Sequence, residues 1–157
     1  MKHHWLLFTW ALIAINIANA GKIEYRPGGE RFACTWDRFY AGDHEPELDD
    51  PLIAAGQNMT LPICEAVSNP DIKMRRYAIG ALGYIGDPRA LPTLEQILLN
   101  TEEIYYFRGD AMHAIYQIDN DLGKKYAVNL GHQHEYLTRL SRDIIKDEAS
   151  LTQPTGH

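Results

Sequence analysis

The sequence predicts an all-α fold, a short α-α superhelix in which two or three helical hairpins stack side by side. The clearest evidence is the segment 75–92, where apolar residues keep helical spacing up to Ile85 and the run Gly86-Asp87-Pro88 ends the helix. The same pattern returns in the flanking segments at intervals of 30 and 33 residues. A period of this length, with two helices and a turn in each unit, is typical of an α-solenoid.

The N-terminus of the chain has the pattern of a cleaved signal peptide. A short basic start precedes an apolar run from Trp5 to Ala14, and Ala18-Asn19-Ala20 has the small-x-small form of a cleavage site. The apolar run is shorter than the roughly 20 residues that span a bilayer. We therefore expect cleavage after Ala20, no stable membrane span afterwards, and a periplasmic or secreted protein.

The remainder is long enough for one domain with its own core. Its aromatic start, with Phe32, Trp36, Phe39 and Tyr40 on one face of a short helix, is expected to cover the open end of the first repeat. Composition and periodicity divide the chain into a signal peptide, an N-terminal cap segment, a helical repeat domain and a flexible tail, with the boundaries 1–20, 21–46, 47–148 and 149–157.

Seven helices are predicted within the repeat domain. Proline and acidic residues mark two of their starts, at Asn69-Pro70-Asp71 and after Thr101. The predicted ranges are 47–55, 59–68, 71–85, 89–99, 102–118, 121–130 and 134–147.

Charge restricts the class of partner. The chain carries 15 Lys and Arg against 21 Asp and Glu, which gives a formal net charge of −6. Such an acidic chain is a poor binder of nucleic acid. It suits a protein partner, and a basic one in particular.

The two cysteines, Cys34 and Cys64, are predicted to form a disulfide, because an even count in an oxidising compartment favours pairing. The bridge would close a loop of about 30 residues and stabilise the fold by roughly 3 kcal/mol. In the repeat register Cys64 takes the place of Leu94, which faces the core. We therefore expect the bridge to fasten the cap segment to the first repeat, and two buried free thiols are the alternative.

One string of residues carries a resemblance to a known family. It runs through a helix, a turn and the start of the next helix as Arg75-x-x-Ala78-x-x-Ala81-Leu82-Gly83-x-Ile85-Gly86-Asp87-Pro88-Arg89-Ala90-Leu91-Pro92-x-Leu94. The string is similar to the HEAT-like repeat of phycobilisome lyase subunits, with partial matches over residues 47–130. The resemblance implies a small exported bacterial member, a right-handed superhelix whose second helices line a concave face, and a binding or scaffold role without catalytic chemistry.

Two surfaces are candidates for protein binding. Tyr84 and Tyr105 lie off the inward stripes of their helices, and tyrosine is enriched at interface hot spots. Lateral packing between repeats is the alternative for such tyrosines. On the opposite face, polar side chains of the second helices are expected to line the concave groove, namely Glu65, Ser68, Thr93, Gln96 and Lys124.

Four further residues are given structural roles. Arg75 and Arg108 are equivalents 33 positions apart, and we expect them to brace the stack by pairing with Asp87 or another turn acid rather than to bind a ligand. Gly80 and Gly83 lie inside a helix, where each destabilises by about 1 kcal/mol relative to Ala. Close approach of a neighbouring helix is the expected reason for both glycines.

No cofactor, metal or catalytic residue is predicted. His132 and His134 have the only metal-like spacing, and a solvated connector explains them better than a zinc site that lacks further ligands. Nucleophile and phosphate-binding motifs do not occur. The leading hypothesis is a non-enzymatic exported protein-binding module, of the inhibitor or immunity type that binds a periplasmic enzyme or toxin. The alternatives are a structural adaptor in a cell-envelope assembly and a small metal-dependent hydrolase.

Overall fold

The computed structural model describes residues 23–42 and 50–151. The predicted signal peptide lies outside the described residues, and so does most of the predicted tail. The described residues form eight α-helices, which are α1 (Glu30–Ala41), α2 (Pro51–Ala54), α3 (Thr60–Val67), α4 (Arg75–Ile85), α5 (Leu91–Leu99), α6 (Tyr105–Ile118), α7 (Asn120–Leu130) and α8 (Glu135–Leu151).

The packing is centred on α6. Helices α4, α5, α7 and α8 each pack against α6, α3 packs against α4, and α7 packs against α8. Because α2, α4, α6 and α8 each begin a repeat unit, we call their shared surface the first-helix face, and that of α3, α5 and α7 the second-helix face. The prediction of an all-α fold is confirmed, and this packing is consistent with an α-α superhelix.

Aspartate side chains cap two of the repeat helices and one 3₁₀ turn. Asp50 accepts a hydrogen bond of 2.8 Å from the backbone N–H of Leu52 and so caps α2. Asp87 caps the short 3₁₀ turn before α5, and Asp119 caps α7. At the other end of α4, Gly86 adopts the left-handed conformation with φ of 69°, which closes the helix as predicted.

One helix boundary differs from the prediction because of a long-range contact. Helix α4 begins at Arg75, four residues later than predicted, since residues 71–73 pair with the N-terminal segment instead. Ile23 and Ile72 form an isolated parallel β-bridge, in which the N–H of Lys73 donates to the carbonyl of Ile23 at 2.9 Å. Met74 then turns the chain with a positive φ of 62°.

The cap segment shares the core of the repeats. Trp36 and Phe39 are fully buried, and Tyr40 stacks on Trp36. The polar atoms of both side chains are hydrogen-bonded. The indole N–H of Trp36 donates to the backbone carbonyl of Pro27 at 2.9 Å, and the hydroxyl of Tyr40 donates to the backbone carbonyl of Tyr25 at 2.7 Å. The aromatic face of α1 therefore packs on the first repeat, which keeps apolar surface of that repeat out of water.

The predicted disulfide between Cys34 and Cys64 is wrong. Both thiols are free, with Cys34 exposed on α1 and Cys64 buried in the core. The reason is helical geometry: Cys34 precedes the buried Trp36 by two residues, which places it about 200° around the helix and so on the solvent side. Cys64 faces the core as the register predicts, and burial raises the pKa of its thiol.

Candidate protein-binding face

A groove of about 440 Å³ crosses the first-helix face where α2, α4 and α6 meet. We call it the tyrosine groove, and its walls include Ile53, Tyr77, Gly80, Tyr84, Asp110 and His113. Its volume is in the range of sites that hold drug-sized ligands or large side chains.

The floor of the tyrosine groove is a glycine between two tyrosines. Tyr77 and Tyr84 are 56% and 46% exposed, and Gly80 lies three and four residues from them on the same face of α4. A Cβ atom at Gly80 would meet no atom within 4 Å, so the expectation that a neighbouring helix requires this glycine is wrong. The missing side chain instead deepens the groove.

Gly83, three residues further along the same helix, does have the predicted role. A Cβ atom there would lie 2.9 Å from the Cα of Ala114 in α6 and would also collide with the amide oxygen of Gln117. The close approach of α4 and α6 therefore requires glycine at this position. The two glycines of α4 thus serve different surfaces, one the core and one the groove.

An arginine marks the boundary of the tyrosine groove. Arg76 forms a bidentate ion pair with Asp110, at 2.6 and 2.8 Å, and this carboxylate raises the pKa of the guanidinium. The same guanidinium lies 5.2 Å from the ring centre of Tyr106 and 3.4 Å from the hydroxyl of Tyr136. Arg76 therefore connects the tyrosine groove to the surface between α6 and α8.

That neighbouring surface is a second groove of about 420 Å³, which we call the arginine groove. Its wall residues include Tyr105, Tyr106, His134, Tyr136, Arg139 and Arg142. The ring of Tyr105 stacks on that of His134 with centroids 3.8 Å apart, and Tyr106 meets Tyr136 edge to face at 4.9 Å. Burial raises the pKa of Tyr136. The arginine groove thus combines an aromatic wall with two guanidinium groups.

The two predicted tyrosines lie in different grooves, Tyr84 in the tyrosine groove and Tyr105 in the arginine groove. Sequence reasoning missed Gly80, Arg139 and Arg142 as groove residues. The available signals were a helix-interior glycine between tyrosines and two arginines at a spacing of three, which places them on one helix face.

The predicted second-helix residues are distributed differently. Thr93 and Gln96 line a small depression of about 140 Å³ between the repeats. Glu65 accepts a hydrogen bond from the hydroxyl of Tyr25, so the N-terminal segment engages this carboxylate. The structure therefore brings Thr93 and Gln96 together and assigns Glu65 a contact within the chain.

The repeat equivalent of Glu65 makes the same kind of contact. Glu95 accepts from the hydroxyl of Tyr126 at 2.6 Å, which raises the pKa of that phenol to about 12. A tyrosine thus engages the matching glutamate in both units. These contacts reduce the number of carboxylates that the second-helix face offers to a partner.

Arg75 connects two repeats. Its Nε donates to the carbonyl of Val67 at the end of α3 at 2.8 Å, and its Nη1 pairs with Glu103 in the loop before α6 at 2.7 Å. The side chains of Arg75 and Glu103 are 4% and 10% exposed, so the ion pair is buried. The acid that pairs with Arg75 is therefore Glu103, and Asp87 has another partner.

Arg108 repeats this geometry one unit later. Its Nε donates to the carbonyl of Leu98 near the end of α5 at 2.9 Å, and its Nη2 donates to the amide oxygen of Gln133 before α8 at 2.6 Å. In both units the arginine thus binds the end of the preceding second helix and the loop that leads to the next first helix.

Asp87 joins the turn of its own hairpin to the preceding unit. Its carboxylate accepts a hydrogen bond of 2.8 Å from the hydroxyl of Thr60, the first residue of α3, and further bonds from Arg89. The Arg89 guanidinium holds the pKa of Asp87 well below its usual range. Arg89 in turn donates to the carbonyl of Gln57 at 2.9 Å.

Of the two histidines, His134 caps the start of a helix. His134 accepts a hydrogen bond at Nδ1 from the backbone N–H of Tyr136 at 3.1 Å, which caps α8.

Over residues 23–42 and 50–151, no group of three or more His, Cys, Asp or Glu side chains is arranged to hold a metal ion. Over the same two ranges, no helix combines the length and apolarity needed to cross a bilayer.

Comparison with known proteins identifies the repeat. Residues 60–132 match the family model for HEAT repeats, a stretch that runs from the start of α3 to the turn after α7. Searches of curated proteins and of solved structures each returned no match. With the helix packing and the corner at Asp87 described above, the match supports HEAT-like repeats over residues 60–132.

Proposed function

We propose that this chain is an exported protein-binding module whose partner docks in the tyrosine groove. The observation that carries the proposal is Gly80. A glycine inside a helix destabilises it by about 1 kcal/mol relative to alanine, and no atom of the described residues lies close enough to require one at this position. A partner that approaches the backbone of α4 between Tyr77 and Tyr84 would explain why glycine occurs at position 80.

The chemistry of the groove supports a protein ligand. Tyrosine presents a large, amphipathic surface at a small loss of side-chain entropy, which is why it is enriched at interface hot spots. Ile53 adds apolar surface, and the Arg76–Asp110 ion pair adds a polar rim. An apolar centre with a polar rim is the usual composition of a protein-binding surface.

Within this class we favour an inhibitor or immunity-type protein that binds a periplasmic enzyme or toxin. The net charge of −6 favours association with a basic partner through long-range attraction. An adaptor in an envelope assembly is the alternative, and the stoichiometry of the natural complex separates the two. One tight partner enzyme that loses activity when bound supports inhibition, whereas several structural partners support an adaptor.

A peptide selection tests the docking site without knowledge of the partner. The immobilised protein is used to select binders from a displayed library of random peptides, and the dissociation constant of the best peptide is measured by calorimetry. The double variant Tyr77→Ala/Tyr84→Ala is expected to bind at least tenfold more weakly, because two hot-spot side chains are removed.

The matched control uses two apolar side chains on the second-helix face. Leu61 and Leu99 are 57% and 51% exposed on α3 and α5, so Leu61→Ala/Leu99→Ala removes comparable exposed surface. This variant is expected to bind the peptide as the parent does. Loss of binding in the control alone would place the interface on the second-helix face, and a selection that enriches no peptide would also contradict the proposal.

Export is tested separately. Residues 1–20 support a cleaved signal peptide, so the protein expressed in a bacterium is expected in the periplasmic fraction with a mass that begins at Gly21. Recovery of the uncut chain from the cytoplasm would contradict this part of the proposal and leave the docking site unaffected.

A further inference from the structure

The arginine groove contains two cations, Arg139 and Arg142, that no acidic side chain among the described residues neutralises. Arg139 and Arg142 are both exposed on α8 and point into the same groove. Neither forms an ion pair within the described residues, and Arg139 contacts only the ring of Tyr136, at 5.7 Å. Two other exposed arginines are paired, Arg76 with Asp110 and Arg89 with Asp87, whereas Arg31 on α1 lies over the ring of Phe32.

We infer that the arginine groove binds a carboxylate-rich segment of the partner protein, an inference that rests on the proposed function. A guanidinium presents a planar fork of donors that matches a carboxylate. The guanidinium groups of Arg139 and Arg142 lie on one helix face in a groove that tyrosines also line, so together they can bind one or two acidic side chains. Glu135, one helical turn before Arg139, also lines the groove and repels an anion, which favours the end of the groove near Arg142.

The net charge of the chain favours a short acidic segment over a long polyanion as the ligand of the arginine groove. With a net charge of −6, the protein repels a long polyanion such as nucleic acid or an acidic polysaccharide. A short acidic stretch within a protein partner meets the local positive charge of α8 without extending over the rest of the surface. Local charge therefore predicts an acidic contact here, although the net charge alone predicts a basic partner.

The two grooves are joined, so one partner segment can occupy both. Arg76 bonds to Asp110 in the tyrosine groove and reaches Tyr136 in the arginine groove. A segment that places an apolar side chain against Gly80 and acidic side chains beside Arg139 would follow the first-helix face from α4 to α8. The charges of the arginine groove would then determine the direction in which the segment lies.

A defined acidic peptide tests this inference directly. A peptide of six glutamates with blocked ends is titrated into the ¹⁵N-labelled protein at low salt, and amide shifts are followed by NMR. We expect saturable shifts in residues 134–142, and binding at least tenfold weaker in Arg139→Glu/Arg142→Glu. The control Arg31→Glu changes an exposed, unpaired arginine over the ring of Phe32 on α1, and it is expected to leave the titration unchanged.

Three further arms complete the test. A blocked six-lysine peptide is expected to produce no shifts in residues 134–142, and a heparin hexasaccharide is expected to bind more weakly than the glutamate peptide. Tighter binding of the saccharide would overturn the inference in favour of a glycan ligand, and no shift with glutamate would overturn it outright. The Tyr77→Ala/Tyr84→Ala variant is expected to bind the glutamate peptide normally, so failure of the tyrosine groove and failure of the arginine groove are distinguishable.

Discussion

The two glycines of α4 give the sharpest test of the proposed interface. They are three residues apart in one helix, and the same substitution to alanine is expected to have opposite effects on stability. At Gly80 the added methyl group meets no atom within 4 Å, so only helix propensity changes. Gly80→Ala is therefore expected to stabilise the fold by about 1 kcal/mol, which for a domain of this size raises the Tm by about 4 °C.

At Gly83 the same methyl group enters a packed helix interface. Its Cβ would lie 2.9 Å from the Cα of Ala114, a backbone atom that moves only with its helix. Overpacking of this kind destabilises by about 1–3 kcal/mol, and the gain in helix propensity offsets about 1 kcal/mol of it. We expect a net destabilisation of about 1 kcal/mol and a Tm lower by about 4 °C.

Thermal and urea unfolding, followed by circular dichroism at 222 nm, measure both variants. The peptide that the parent selects is then titrated into Gly80→Ala, and we expect weaker binding by the more stable protein. Destabilisation by Gly80→Ala would show that the glycine is needed for the fold, and unchanged binding would show that the partner does not approach α4 there. Either result refutes the assignment of Gly80 to the interface.

The remaining predictions concern the contacts between repeats and the thiols. Arg75→Ala is expected to destabilise by about 3–5 kcal/mol in urea unfolding, because it leaves Glu103 buried and unpaired. Asp87 has a pKa lower in the folded than in the unfolded chain, where it is about 3.9. Its contribution to stability is therefore present at neutral pH and is lost as the pH falls below about 4, so Asp87→Asn should flatten the dependence of the unfolding free energy on pH between about 2 and 5. Reducing agent is expected to leave the Tm unchanged, and a thiol reagent should modify Cys34 in the native protein and Cys64 only after unfolding.

Each of these predictions has an outcome that contradicts it. An Arg75→Ala variant within about 0.5 kcal/mol of the parent, as expected for a surface change such as Arg31→Ala, would show that the contact between repeats is not stabilising. Parallel pH curves for Asp87→Asn and the parent would show that this carboxylate is not the group that titrates. A Tm that falls on reduction would show that a disulfide exists after all.

Local pattern was sufficient for most of the fold. Apolar spacing and turn residues such as Gly86 specify each repeat within about thirty positions, and the helices of the structure follow from them. Two helix starts are exceptions. Helix α6 begins at Tyr105 and not at 102, with no side-chain cap from Thr101. The start of α4 depends on Ile23, some fifty positions away, and no local pattern contains that contact. The period also placed Cys64 in the core correctly, because the register of a repeat carries over to its neighbour.

The errors have two different origins. The disulfide was wrong although the sequence held the correction: Cys34 lies two residues before Trp36, on the opposite side of a helix whose aromatic face was recognised. The arginine groove, in contrast, requires the start of α6 to meet the start of α8, and this juxtaposition comes from packing. A spacing of three between Arg139 and Arg142 shows that they share a face, but it does not show which residues lie opposite.

The two arginine contacts between repeats differ in strength, and this difference orders local unfolding along the stack. The guanidinium of Arg75 donates to the carboxylate of Glu103, whereas that of Arg108 donates to the neutral side-chain amide of Gln133. Hydrogen bonds between charged groups are the stronger kind, so α8 is held less firmly than α6. The C-terminal end should therefore open at a lower free energy than the first hairpins. The proposed partner would then first lose the contact of its acidic side chains with Arg139 and Arg142, while its apolar contact with α4 persists. The partner would therefore be released in two steps, from α8 first and from α4 second.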